Sequence, residues 1–212
     1  MFLQDPSKYV GMIERFLGSR SRTRQQFLEN AVDTTYQEVF VAVEEFLDLF
    51  LKMKRKFRRL VEQVDKGTND LDAIIDDFSA LVDQIEEQIN PGQAQRMQTY
   101  ARTLDALENQ LFGDKIIQVI NLDEELAAKS FFAAVSDFFT NGPEYNHYMR
   151  SAVGYAQSTA DHLRKADQHP RKIRVELEDL HRFIKDNEDQ MLRTWGDISL
   201  HHAALTRRLK SS

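Results

Sequence analysis

The sequence predicts an all-α fold, an elongated multi-helix bundle with two long coiled-coil-like helices at about 23–66 and 171–209. Three observations carry this expectation. Tyr36, Val39, Val43, Phe46, Phe50, Met53, Phe57, Leu60 and Val64 recur in alternating steps of three and four, the spacing of a helix packed lengthwise against other helices. A second seam runs through Ile173, Leu177, Leu180, Ile184, Asn187, Met191, Trp195, Ile198, His202, Leu205 and Leu209. Glycine and proline number only 8 and 4, which suits long uninterrupted helices and opposes a turn-rich β fold.

The elements follow in order. A short amphipathic helix starts near Pro6, with Ser7 as cap, and stops near Gly18. The second helix runs from about Thr23 to Lys66, roughly 65 Å at 1.5 Å per residue. Beside its seam lies a second apolar row, Phe40, Leu47 and Val61, which predicts a wide buried stripe. A third helix carries Leu71, Ile74, Ile75, Phe78, Leu81, Val82, Ile85 and Ile89 and ends at Asn90-Pro91-Gly92. A fourth carries Met97, Tyr100, Leu104, Leu107 and Leu111 up to Gly113, and the β-branched stretch 114–121 reads as a short extended link. Asn121 is placed to cap a fifth helix whose first turn holds Asp123, Glu124 and Glu125 at the positive end of the dipole. A sixth opens at Pro143 and closes before His169-Pro170, where the last helix begins. The expectation is a single elongated domain over 1–212 with an acidic middle lobe at about 68–142.

The net charge of −6 conceals segregation. Residues 1–61 hold 11 basic and 8 acidic side chains, 62–147 hold 5 and 17, and 148–212 hold 12 and 9, so an acidic middle separates two mildly basic ends. Overall acidity opposes a dedicated nucleic-acid binder, which needs a basic face for phosphates. With no cysteine, thiolate metal sites and disulfides are excluded. The apolar run 39–53 is interrupted by Glu44, Glu45 and Asp48 and does not read as a membrane span. A cytoplasmic protein, peripheral to a membrane in one alternative, is expected.

Lys52, Lys54, Arg55, Lys56, Arg58 and Arg59 form the densest cationic cluster, interleaved with the seam residues Met53 and Phe57. Such a face suits an acidic partner surface or anionic lipid; as a structural feature it is a solvated face paired with the acidic 62–90 segment. Tyr9, Val10, Ile13, Phe16 and Leu17 give the first helix an apolar side flanked by Lys8 and Arg15, the pattern of an interfacial membrane anchor as well as of a helix capping its own bundle. Two Glu-x-x-His spacings, Glu144/His147 and Glu178/His181, match the ligand spacing of di-metal carboxylate bundles. Glu178 lies beside rather than on the last seam, which disfavours convergence, and no metal or other cofactor is expected. Glycine-rich phosphate loops, nucleophile elbows and His-Glu-x-x-His helices are missing from the sequence.

The reading these features favour is a non-catalytic helical interaction or scaffold protein acting through coiled-coil-like and charged surfaces, with a protein partner or a second copy of itself. The alternatives are a peripheral curved-rod protein on an anionic membrane and a di-metal carboxylate enzyme.

Overall fold

Heptad-spaced apolar residues and sparse glycine leave the helix as the regular structure this chain can form. The computed structural model describes residues 7–18, 23–66, 71–89, 93–112, 120–140, 148–165 and 169–211, and those residues are almost entirely helical, with no strand among them. The elements are α1 (Ser7–Gly18), α2 (Arg24–Phe27), a π-helical segment (Leu28–Asp33), α3 (Thr34–Asp65), α4 (Leu71–Ile89), α5 (Gln93–Phe112), α6 (Leu122–Thr140), α7 (Tyr148–Lys165) and α8 (Pro170–Ser211). The expected extended link at 114–121 falls mostly outside the described residues, as do Pro143, Glu144 and His147.

The chain divides into two compact units. Residues 1–43, 92–145 and 192–212 make unit one; 44–91 and 146–191 make unit two. Within the acidic stretch 68–142, α4 packs with α7 in unit two and α5 packs with α6 in unit one.

In unit one, Thr23 opens α2 with a reciprocal capping box: its Oγ1 accepts from the Gln26 N–H at 3.1 Å, and Gln26 Oε1 accepts from the Thr23 N–H at 3.1 Å. The predicted second helix is not uniform. Its first turns widen into the π-helical segment, where the Thr34 hydroxyl donates to the Glu29 carbonyl five residues back at 2.9 Å. Leu28, Ala31 and Val32 of that segment are all buried. An aromatic core joins the elements: Phe27 lies 6.1 Å from Phe16 and 6.4 Å from Phe132, and Tyr100 lies 5.4 Å from Tyr9 and stacks on Phe139 at 4.8 Å. Fully burying each such ring contributes about 1.5–3 kcal/mol. Asn121 caps α6 as its position predicts, its Oδ1 accepting from the Glu124 N–H at 3.0 Å while Glu124 accepts from the Asn121 N–H at 2.8 Å.

In unit two the seam of α3 is buried from Phe46 to Val64. Phe57 meets Phe78 of α4 at 5.1 Å, and Ile173, Leu177, Leu180 and Ile184 of α8 close the core. The pairs Lys54 with Glu188 and Asp65 with Arg174 advance in opposite directions along α3 and α8, so the two helices run antiparallel here. The wide stripe departs from expectation. Phe40 is 37% exposed, and Leu47 and Val61 are half-buried, while Ala42 and Leu49 on the other side of the seam are buried. The helix is rotated so that the core extends toward Ala42 and Leu49 rather than toward the predicted row.

Candidate functional site

The basic cluster lies within unit two, on α3, whose buried seam fixes its register. With Met53 and Phe57 buried, the geometry of 3.6 residues per turn turns the intervening cations outward. Lys52, Arg55, Lys56, Arg58 and Arg59 are exposed, and Lys54 is half-buried. Two of the six are neutralised locally: Lys52 pairs with Asp48 at 2.5 Å, and Lys54 pairs with Glu188 of α8. No ion pair among the described residues holds Arg55, Lys56, Arg58 or Arg59. The described acids of the 62–90 segment, in the same unit, do not supply their counter-charges.

The face extends onto α8. Leu177, Leu180 and Ile184 face the core, which places His181, Lys185 and Glu188 in one row along the flank toward Lys54. The His181 imidazole is held below its ordinary value of 6.5, first by burial and then by Arg58, Lys54 and Lys185, with Glu188 opposing them. At His181 the charges of Arg58, Lys54 and Lys185 thus add to the larger effect of burial. Its position beside the basic cluster was readable only by registering α8 against α3.

That surround bears on the Glu-x-x-His pairs. Glu178 accepts a hydrogen bond from Arg174 Nε at 2.8 Å, and the cations around His181 oppose a further cation there. The described residues contain no group of three or more metal-ligating side chains, and Glu144 and His147 lie outside them.

The candidate anchor helix is built into unit one. Tyr9, Ile13 and Phe16 are 1%, 1% and 5% exposed, and Val10 and Leu17 are half-buried. The Tyr9 hydroxyl bonds Thr35 Oγ1 at 3.0 Å, and burial pushes its pKa well above that of a free phenol against the opposing Thr35 bond. An apolar side already covered by Phe27 and Tyr100 has little left to bury in lipid. No described helix is long and apolar enough to cross a membrane.

Unit one also holds a cluster that the sequence did not announce. His202 Nε2 lies 2.8 Å from Asp33 Oδ1, and Ser199 stands one turn before His202 on α8. The Ser199 hydroxyl bonds Tyr36 Oη at 3.3 Å rather than the imidazole. In unit two an open groove of about 570 Å³ lies between the end of α7 and the start of α8, lined by His162, His169, Arg171, Lys172, Ile173 and Glu176 among others. His162 Nδ1 and Glu176 Oε1 approach to 3.5 Å across it.

Comparison of the chain with protein-family models, curated proteins and solved structures finds no match. The fold and the site together define an all-α helical protein with one strongly cationic helix face.

Proposed function

We propose that this chain is a non-catalytic helical interaction protein that docks an acidic protein surface on the outer face of α3, as a subunit of an assembly or with a second copy of itself. The observation that carries the reading is the set Arg55, Lys56, Arg58 and Arg59, four exposed cations on two turns without an ion-pair partner among the described residues. Four like charges on a rigid helix repel one another, and an incoming array of carboxylates relieves that repulsion. The surroundings of His181 support the same reading: beyond burial, Arg58, Lys54 and Lys185 lower its pKa against the opposing Glu188. The covered apolar side of α1 favours a protein partner over a membrane.

Binding of fluorescent poly-L-glutamate, in parallel with sedimentation on phosphatidylserine vesicles, tests this. The expected result is salt-sensitive binding of poly-glutamate that disappears when Arg55, Lys56, Arg58 and Arg59 are changed to Gln. No binding of poly-glutamate at low salt would overturn the proposal. Vesicle binding that is lost on deletion of residues 1–17 would transfer the reading to the membrane-bound alternative.

A further inference from the structure

The identity of the acidic partner follows from the neighbouring helix in the same unit. Helix α4 carries six carboxylates, Asp72, Asp76, Asp77, Asp83, Glu86 and Glu87, and no lysine or arginine. Its apolar side, Ile74, Ile75, Phe78, Leu81 and Val82, is buried, so its outer side presents acid almost without interruption. Glu86 is occupied by a hydrogen bond from Gln157. Asp76, Asp77, Asp83 and Glu87 are exposed, and no ion pair among the described residues holds them.

Among the described residues, unit two therefore displays two faces of opposite sign, four cations on α3 and four carboxylates on α4 that no ion pair holds. Within one chain these faces do not pair with each other. Each also carries an exposed uncharged residue, at the edge of the α3 face and in the middle of the α4 face. Leu51, 44% exposed, sits one turn before Arg55, and Ala80, exposed, sits one turn after Asp76 and Asp77 and one turn before Asp83. A small residue in the middle of one face lets a larger one on the other approach closely.

We infer that the acidic surface received by the α3 face is the α4 face of a second copy of this chain, joined head to tail. This rests on the docking reading of α3 given above and names its partner. Because the two faces are different patches, the contact is heterologous: each bound copy still offers one free face of each sign, and the assembly grows rather than closing as a dimer. Exposed ion pairs are individually weak, so growth depends on concentration and reverses with salt.

Sedimentation velocity of two complementary variants tests the inference. The first replaces Arg55, Lys56, Arg58 and Arg59 by Gln; the second replaces Asp76, Asp77 and Asp83 by Asn and Glu87 by Gln. All eight positions are exposed, and circular dichroism checks that the helices persist. Wild-type protein in low salt should form species of increasing mass with concentration and return to single chains at about 1 M NaCl, where charges are screened beyond ~3 Å. Each variant by itself should remain a single chain. An equimolar mixture should stop at two chains, since just one complementary joint survives.

Wild-type protein that stays a single chain at every concentration overturns the inference. Poly-glutamate binding, measured on the same sample, then separates the two failures: if it persists, α3 docks acid but not its own kind, and if it is absent the docking reading falls as well. A mixture that stays as single chains while wild type assembles also overturns the inference. Should either variant lose its fold, excess poly-glutamate added to wild type decides: dissolution of the assembly supports the α3–α4 joint, and persistence refutes it.

Discussion

The imidazole of His202 lies nearly parallel to the ring of Tyr36, centroids 3.9 Å apart and 12° between planes, while its Nε2 reaches Asp33 Oδ1 at 2.8 Å. Phe131 stands 5.8 Å away on α6, and Tyr36 also stacks on Trp195 at 4.9 Å. A seam position that would ordinarily hold an aliphatic residue instead ties α8 to the end of the π-helical segment. His202→Ala removes a stacked pair worth about 0.5–1.5 kcal/mol and a hydrogen bond to a charged partner worth about 1.5–3 kcal/mol. Urea denaturation should show a loss of about 2 kcal/mol, and Asp33→Asn, which keeps the ring contacts, should cost about half as much.

His181 supplies a pH dependence with a definite sign. Burial and the neighbouring cations hold its pKa below the usual 6.5, so the folded chain binds that proton less readily than the unfolded chain. Above 6.5 both states carry neutral imidazole and the group contributes no slope. As pH falls below 6.5 the unfolded state takes up the proton first and stability declines, until the folded group titrates too. His181→Gln should therefore flatten the stability profile on the acid side of 6.5 and leave it unchanged near pH 8, as thermal melts over pH 5–8 would show.

Glu124 is 1% exposed, pairs with Arg24 and closes the capping box on Asn121. Glu124→Gln keeps an acceptor for the Asn121 N–H but leaves the Arg24 guanidinium, itself partly solvated, without its counter-charge. The expected loss is about 2–3 kcal/mol by chemical denaturation, below the range for a fully buried broken pair. Asn121→Ala removes the cap bond alone and should cost about 1 kcal/mol.

Much of this architecture was legible because periodicity is a local signal. The α3 seam from Val39 to Val64 and the aliphatic seam of α8 are buried as their spacing predicts, and Asn121 caps α6 as its place before three acids predicts. The row Phe40, Leu47 and Val61 misled because an apolar stripe does not say which of its edges faces the neighbours; Ala42 and Leu49 won that side. The π-helical segment has no spacing rule of its own, since one widened turn inside a long helix changes no composition. The Asp33–His202 contact joins residues 169 apart and needs tertiary structure to appear. The cationic cluster was visible as a run, but whether the acidic 62–90 segment neutralised it was a question of geometry. Arg55, Lys56, Arg58 and Arg59 answer it by standing exposed, with no ion pair to an α4 acid among the described residues.

Phe57 fixes the register of that face, since it is fully buried against Phe78 midway between Arg55, Lys56, Arg58 and Arg59. Phe57→Ala should lower stability by about 3–5 kcal/mol. Phe57→Leu, which keeps most of the volume, should lose less and retain poly-glutamate binding in a titration followed by fluorescence.

In the proposed docking surface, cations without an ion-pair partner among the described residues matter more than net charge. Isothermal titration with poly-glutamate at fixed low salt, comparing two variants of equal net charge, tests it most directly. One carries Arg55→Gln and Arg59→Gln, which remove unpaired cations. The other carries Lys52→Gln and Arg182→Gln, which remove exposed cations already paired with Asp48 and Asp179. About a tenfold loss of affinity, equivalent to ~1.4 kcal/mol, is expected for the first, and less than about threefold for the second. Equal losses in the two variants would contradict it.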